Sequence, residues 1–130
     1  MEGQSNVEIL RGLSVLVVED DYFVATDCAN QLRINGATVL GPVGDTSSAR
    51  LALESGTPDC VLLDINLKGA MVFDLAQELM ERRVPTIFTT GYDSAVLPAE
   101  FQKTPCLQKP VDTRELISAV RREARRATAE

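Results

Sequence analysis

Carboxylates, a hydroxyl and an ammonium group each follow a short apolar segment of this sequence: Glu19, Asp20, Asp64, Thr90 and Lys109. In a parallel sheet the carboxyl ends of the strands meet at one edge, where open α/β folds place their functional crevice. Neighbouring strands lie ~4.8 Å apart. If the apolar segments are strands of such a sheet, we expect these five side chains to converge on one pocket.

The predicted pocket suits a metal ion and a phosphoryl group. Carboxylates a few ångströms apart repel one another, and a hard divalent cation offsets the repulsion. Oxygen ligands without His or Cys select Mg²⁺ or Mn²⁺ over zinc. Lys109 would neutralise part of the remaining charge, and the Thr90 hydroxyl could donate to an oxyanion. One carboxylate would then act as the nucleophile toward phosphorus.

Each of these residues also has a structural interpretation. Glu19-Asp20-Asp21 can be a loop that leads into a helix, where acidic side chains are favourable. Asp64 can be a turn residue or a cap, and Thr90-Gly91 and Lys109-Pro110 are both turn signals. Their occurrence together, at the ends of four separate apolar segments, favours the chemical interpretation.

Length and charge exclude several classes of function. The chain has 130 residues, with 13 Lys plus Arg against 19 Asp plus Glu, a net charge of −6. We expect a single domain over residues 1–130 with its core at about 12–127, and loose ends before and after it. The acidic balance argues against direct binding to nucleic acid or anionic membranes. The absence of His excludes Ser-His-Asp and Cys-His catalysis and His-ligated zinc or haem.

The three cysteines, Cys28, Cys60 and Cys106, are odd in number and widely spaced. They fit neither a disulfide framework nor a metal site, which indicates free thiols in a reducing cytoplasm. No signal pattern or membrane-spanning apolar run is present. We therefore predict a cytoplasmic protein, in which Cys106 is a buried, inert strand residue rather than a redox sensor.

Apolar periodicity predicts alternating strands and helices. Strands are predicted at Leu13–Val18, Thr38–Leu40, Cys60–Leu63, Thr86–Thr89 and Thr104–Gln108. Four helices are predicted from apolar residues at helical spacing. Their apolar positions are Ala25, Cys28, Ala29 and Leu32; Ala49, Ala52 and Leu53; Val72, Leu75, Ala76, Leu79 and Met80; and Leu116, Ile117, Val120 and Ala124.

The ends of the helices carry their own signals. Gly36 is placed to close the first helix, and Asp112 and Glu115 have the spacing of a capping box for the last one. A weak fourth helix is predicted from about Asp93 to Glu100. The arginines of the last helix are interpreted as a solvated cationic helix end.

The order of the elements predicts an α/β fold. Near-continuous apolar strands that alternate with helices indicate a parallel sheet covered on both faces. With right-handed crossovers, we predict a five-stranded, doubly wound, flavodoxin-like sheet of strand order 2-1-3-4-5.

Four segments of the sequence resemble the receiver domain of two-component response regulators. They are Val15–Asp21, Cys60–Leu67, Pro85–Gly91 and Gln108–Pro110, and the resemblance covers nearly the whole chain. It implies that Asp64 is the phosphorylated nucleophile, that Thr90 bonds the phosphoryl group and that Lys109 pairs with it. In such proteins the peptide bond between this lysine and proline is often cis, as X-Pro bonds permit.

The resemblance also implies a Mg²⁺ site. Asp20 and Asp64 would bind the ion, the backbone carbonyl of Asn66 would supply another ligand, and Glu19 would act through water. Mg²⁺ is the expected cofactor.

A receiver implies particular partners and an output. The phosphoryl donor would be a histidine kinase or a histidine phosphotransfer protein, and phosphorylation would alter binding to a downstream protein. We expect a stand-alone receiver, not an enzyme beyond slow autodephosphorylation, that acts through the face of the fourth helix, fifth strand and fifth helix. That face is also a candidate homodimer contact.

Two other functions compete with the phosphorylated switch. The first is a phosphorylation-independent scaffold or phosphate sink, which the complete set of acids, Thr90 and Lys109 argues against. The second is a phosphatase or phosphotransferase of another α/β class. Aspartyl enzymes of that kind usually carry a second Asp two residues on, where this chain has Asn66.

The sequence departs from the family at three places. Cys106 stands where receivers often have an aromatic switch residue, and Lys68 stands where many have proline. Phe88–Tyr92 resembles a receiver subfamily marked by a Phe-Ala-Thr-Gly motif. Tyr92 is interpreted as a loop-packing residue in preference to a substitute for the missing ring.

Overall fold

A computed structural model describes residues 8–67, 72–91 and 97–129. Five strands and four α-helices alternate along the described chain. The strands are β1 (Ser14–Val18), β2 (Thr38–Val43), β3 (Cys60–Asp64), β4 (Thr86–Thr90) and β5 (Cys106–Gln108). The helices are α1 (Tyr22–Ile34), α2 (Thr46–Ser55), α3 (Val72–Glu81) and α4 (Thr113–Ala129).

The strands form one parallel sheet of order β2-β1-β3-β4-β5. This confirms the predicted flavodoxin-like topology. Because all strands run in the same direction, their carboxyl ends lie along one edge of the sheet. The register brings Asp64 opposite Thr89 and Thr90 opposite Gln108 at that edge.

Side chains of alternate strand residues enter two separate hydrophobic cores. Leu16 and Val18 of β1 pack with α2 and α3, whereas Val15 and Val17 pack with α1 and α4. The same alternation continues through β3 and β4, whose core residues are all buried. Burial on both faces explains why these strands read as continuous apolar runs.

Asp side chains fix the starts of three helices. Asp21 accepts hydrogen bonds from the backbone N–H groups of Phe23 and Val24 at the start of α1. Asp45 accepts from Ser48 at the start of α2, and Asp112 accepts from the Glu115 N–H at the start of α4. These bonds satisfy donors that have no partner within the helix.

The predicted fourth helix is wrong where the structure describes it. A short 3₁₀ helix, Ala99–Phe101, follows Pro98, while residues 93–96 lie outside the described residues. Phe101 is buried and stacks on Phe73 at a centroid distance of 5.5 Å. Its ring also meets Phe88 edge-to-face. Packing of Phe101 and Leu97, rather than an amphipathic stripe, holds the segment against the sheet.

Two side chains and one strand also differ from the predictions. Met80 is 42% exposed because it lies at the edge of the buried face of α3. Cys106 is exposed because β5 is an edge strand with only β4 beside it. The strand β2 continues past the predicted Leu40 to Val43.

The predicted loose ends are partly ordered. The helix α4 extends beyond Arg126 to Ala129, and residues 8–12 form a turn before β1. In that turn Leu10 is fully buried, and its backbone N–H donates to the Asn35 carbonyl oxygen at 2.7 Å. The core therefore begins earlier than residue 12.

Gly36 lets this N-terminal turn approach the end of α1. Its φ angle is +100°, and a Cβ added to it would lie 3.0 Å from the Glu8 Cα. The backbone N–H of Gly36 donates to the Arg33 carbonyl oxygen, as the predicted helix end requires. Only glycine combines this φ angle with so close a backbone contact.

We expect Gly36→Ala to lower the free energy of unfolding by roughly 1–3 kcal/mol, because the new side chain is strained and meets backbone atoms. Denaturant unfolding of the purified variant measures this loss. Gly56→Ala is the control, since Gly56 has φ 166° and no atom lies within 4 Å of its added Cβ. Equal destabilisation by both substitutions would contradict the role assigned to Gly36.

Candidate acidic site at the carboxyl edge of the sheet

The side chains singled out by the sequence lie together at the carboxyl edge of the sheet. Asp64 and Thr90 are the last residues of β3 and β4, whereas Asp20 and Lys109 lie just beyond β1 and β5. Asp64 and Thr90 are buried, while Asp20 is exposed. The site therefore has an enclosed floor and an accessible acidic rim.

Lys109 connects two buried carboxylates. Its Nζ lies 2.7 Å from Oε1 of Glu19 and 3.1 Å from Oδ2 of Asp64. The exposed fractions of the two acids are only 6% and 1%. A single ammonium group thus neutralises part of the charge of both.

Backbone groups fix the orientation of these side chains. The Asp21 N–H donates to Oε2 of Glu19 at 3.0 Å, and the Asn66 N–H donates to Oδ1 of Asp64 at 2.9 Å. The Lys109 N–H donates to the Thr90 carbonyl oxygen at 2.7 Å. The Lys109–Pro110 peptide bond is cis. Each acid therefore keeps one oxygen bonded to backbone and one facing Lys109.

Burial and ion pairing shift the protonation equilibria of the site. Burial raises the pKa of Glu19, and the hydrogen bond from Lys109 opposes this effect. Burial alone would lower the pKa of Lys109, but its hydrogen bonds to Glu19 and Asp64 outweigh this and raise it. Lys109 is consequently protonated at neutral pH.

The acidic oxygens are close enough to bind one cation. Carboxylate oxygens of Glu19, Asp20 and Asp64 all lie within 4.8 Å of one another. The cluster contains only oxygen donors, which suits a hard divalent ion such as Mg²⁺ and not zinc or copper. The residues present thus fit the predicted ion.

One polar contact was not predicted from the sequence. The Asn66 side-chain amide Nδ2 lies 3.4 Å from Oγ1 of Thr90 and donates a long hydrogen bond to it. Sequence reasoning considered only the backbone carbonyl of Asn66. The position of Asn66, two residues after Asp64, was the available signal, since it lies on the loop that leaves β3 at this edge.

Two exposed aromatic residues beside the site were also missed. Tyr22 and Phe23 are 73% and 80% exposed, and their rings meet edge-to-face at 5.5 Å. They open α1 directly after the acidic residues Asp20 and Asp21. The acidic rim therefore continues into an aromatic surface.

Comparison with known proteins identifies this arrangement. The sequence model of the response regulator receiver domain matches residues 15–121. The chain belongs to the response regulator receiver family. Receivers of this family accept a phosphoryl group in two-component signalling, and the chain shares this function.

Relatives and solved structures agree with the family. The receiver is 32% identical over 118 residues to the positive alginate biosynthesis regulatory protein of Pseudomonas aeruginosa, covering 87% of this chain and 48% of that protein. The solution structure of SdrG from Sphingomonas melonis Fr1 is 28% identical, with a TM-score of 0.71 and coverage of 83% and 95%. The Francisella response regulator 1452 receiver domain shares the fold, at 23% identity, a TM-score of 0.76 and coverage of 88% and 98%.

The match to the curated relatives is partial. The receiver spans about half the length of those proteins. Within the part that the structure describes, no helix is long and apolar enough to cross a membrane.

The predicted departures from the receiver pattern have different outcomes. Cys106 replaces the aromatic switch residue on the exposed edge strand, and partial burial raises the pKa of its thiol, so the thiol stays protonated at neutral pH. Phe88 of the subfamily motif packs into the core, and the subfamily assignment stays a prediction. Lys68 and Tyr92 lie outside the described residues.

Proposed function

We propose that Asp64 accepts the phosphoryl group of this receiver. The observation that carries the proposal is the position of Lys109 Nζ, 3.1 Å from an otherwise buried Asp64 carboxylate. A cation held there can stabilise the negative charge that accumulates on a transferring phosphoryl group. We assign this role to one domain of residues 1–130.

The transfer requires little covalent chemistry from the protein. A carboxylate oxygen of Asp64 attacks phosphorus and forms a P–O bond, while the bond from phosphorus to the donor breaks. With a phosphohistidine donor, the imidazole nitrogen keeps the electrons of the P–N bond and takes up a proton. The products are an acyl phosphate on Asp64 and an unmodified donor histidine.

Thr90 and Lys109 act on the phosphoryl oxygens. Lys109 already lies beside the accepting carboxylate, and the buried Thr90 hydroxyl lies at the end of the neighbouring strand. After transfer, Thr90 would donate a hydrogen bond to one phosphoryl oxygen, and Lys109 would pair with another. These new contacts bias the loops after β3 and β4 toward a second conformation.

Glu19, Asp20, Asp64 and the Asn66 carbonyl would hold Mg²⁺. The clustered carboxylate oxygens support this assignment, with Glu19 acting through water. When bound, the ion supplies positive charge that screens the phosphoryl oxygens from the carboxylates.

We propose a histidine kinase or a histidine phosphotransfer protein in the cytoplasm as the donor. Asp64 is 1% exposed, so the donor must approach over the rim that Asp20 forms. Tyr22 and Phe23 lie beside that rim and offer apolar contact area to it. A downstream protein, or a second copy of the chain, would read the change at the face of β5 and α4.

The receiver is proposed to return slowly to its resting state by itself. Water attacks phosphorus and breaks the acyl phosphate, which releases inorganic phosphate and restores the Asp64 carboxylate. We regard this as a property of the switch rather than an enzymatic function.

Intact-mass measurement tests the proposal. The purified chain is incubated with Mg²⁺ and acetyl phosphate, and a gain of one phosphoryl group is expected. No gain with several acyl-phosphate and phosphoramidate donors would favour the scaffold. A Mg²⁺ titration followed by Tyr fluorescence separates the two further, since a scaffold without the metal site would give no response.

We expect Lys109→Met to lower the free energy of unfolding by about 3 kcal/mol at neutral pH without Mg²⁺. The substitution leaves two buried carboxylates without their cation, and breaking a buried ion pair costs roughly this much. The loss should shrink as the pH falls through the raised pKa of Glu19, because protonation removes the repulsion. Added Mg²⁺ should restore more stability to this variant than to the wild type.

Thermal and denaturant unfolding with and without Mg²⁺ measures both effects. Lys103→Met is the matched control, because Lys103 is exposed and lies away from the acidic site. If Mg²⁺ stabilised both variants equally, the electrostatic account of Lys109 would be wrong.

A further inference from the structure

A groove lies between the N-terminal turn, the end of α1 and the first half of α4. Its volume is about 310 Å³, and its lining includes Ile9, Asn35, Arg114, Ile117 and Arg121. Ile117 is buried at 7% exposure and Ile9 is 39% exposed, so the groove has apolar surface within reach of a partner. We call it the α1–α4 groove.

The charge of this groove differs from that of the rest of the molecule. Among the described residues none of its lining side chains is acidic, and Arg114 and Arg121 form no ion pair there. By contrast, the cavity between α3 and α4 contains Glu100 and Glu123 beside its cations. On a chain of net charge −6, the groove is a local cationic site.

The spacing of the two arginines defines what would fit. They are seven residues apart on one face of α4, which places them ~10.5 Å apart along the helix axis. The buried Ile117 lies between them in sequence. A matching ligand has two carboxylates at this separation and an apolar side chain between them.

The walls of the groove are held in place. The Thr113 hydroxyl donates a hydrogen bond to Oε1 of Gln31, which joins the start of α4 to α1. The Leu10 N–H bond to the Asn35 carbonyl oxygen fixes the N-terminal turn against the other end. A preformed groove reduces the entropy lost when a partner binds.

We propose that the α1–α4 groove binds an acidic amphipathic helix of a partner protein. Two carboxylates seven residues apart would pair with Arg114 and Arg121, and an apolar residue between them would contact Ile9 and Ile117. Nucleic acid fits less well, because its phosphates would leave the apolar part uncovered and the chain is acidic. The groove does not include Asp64, so this inference is independent of the proposed function.

The test uses a capped helical peptide with Glu at two positions seven apart and Leu three and four residues after the first. Amide shifts of the ¹⁵N-labelled full chain are followed during titration. Saturable shifts are expected at Ile9, Asn35 and Arg114. The double variant Arg114→Glu, Arg121→Glu should weaken binding roughly tenfold or more. Replacing both peptide Glu residues by Gln should have a similar effect.

Matched variants separate docking from general attraction to positive charge. The double variant Arg82→Glu, Lys103→Glu makes the same change of charge at two exposed sites outside the groove and should leave the affinity within about twofold. Ile9→Ser should weaken binding without any change of charge. Unfolding curves of each variant confirm that the fold is retained.

Several results would overturn the proposal. These are absence of saturable shifts, equal loss of affinity in the Arg82→Glu, Lys103→Glu variant, or displacement of the peptide by duplex DNA at equal concentration. Sedimentation showing a dimer that Arg114→Glu abolishes would instead assign the groove to a second copy of the chain.

Discussion

Replacing Asp64 with Asn is expected to abolish phosphoryl uptake, whereas the wild-type chain gains one phosphoryl group from acetyl phosphate with Mg²⁺. The amide has nearly the same shape as the carboxylate but lacks the negative oxygen that attacks phosphorus. It also removes one of the two carboxylates that hold Lys109 in the site. We therefore expect complete loss rather than a slower reaction, measured by intact mass over time.

Asp45→Asn is the matched control for this experiment. Asp45 caps α2 at an exposed position, and Asn is an equally good cap, so the fold and the acidic site should both be preserved. This variant should be phosphorylated like the wild type. Uptake of phosphate by Asp64→Asn at the wild-type level would place the acceptor on another residue, which peptide mapping would then locate.

Replacing Leu10 with Ala is expected to lower the free energy of unfolding by about 2–5 kcal/mol. Leu10 is fully buried and packs in the core that lies between the sheet, α1 and α4. Removing its side chain leaves a cavity and exposes part of that core, which is the usual cause of losses of this size. Urea unfolding measures the effect as a lower midpoint with an unchanged slope.

The neighbouring residue provides the control. Ile9→Ala removes a side chain of similar size that is 39% exposed, so its cost should be well under half that of Leu10→Ala. Similar losses for the two variants would contradict the role assigned to burial of the Leu10 side chain. Leu10 lies before the family match, which begins at residue 15.

The fold was predictable because each strand carries a short apolar run that ends in polar residues. Burial of β1 and β3 on both faces produces that pattern directly. The stripe Leu75, Ala76 and Leu79 likewise identified the buried face of α3, although Met80 at its edge proved exposed. Periodicity indicates which face is buried, but not how far burial extends around the helix.

The segments that were missed are held in place by long-range packing contacts. Leu10 lies beside Ile9 in a segment too short to show a period, and Phe101 is a single ring three residues after a proline, so neither produces a periodic pattern. Both are buried because a distant element happens to cover them. Cys106 gave the opposite error: the predicted strand order already placed β5 at the sheet edge, but the apolar pattern does not show which residues of an edge strand stay exposed.

The acidic site was predictable in composition but not in detail. Parallel topology alone brings the ends of β1, β3, β4 and β5 to one edge, so the residue types at those ends were enough to locate it. The bond of Lys109 to both Glu19 and Asp64, and the contact of Asn66 with Thr90, depend on side-chain conformation. Sequence spacing does not determine such conformations.

The hydrogen bond from the Lys109 backbone to the Thr90 carbonyl has a mechanical consequence. It is the final backbone hydrogen bond between β4 and β5. It therefore joins the two strands at the residues that carry the ammonium group, Lys109, and the hydroxyl, Thr90. If a newly attached phosphate draws the side chain of Lys109 or Thr90 toward itself, the carboxyl ends of both strands would therefore move together. Thr90 and Lys109 would then move as one unit, and β5 would transmit this movement to the start of α4.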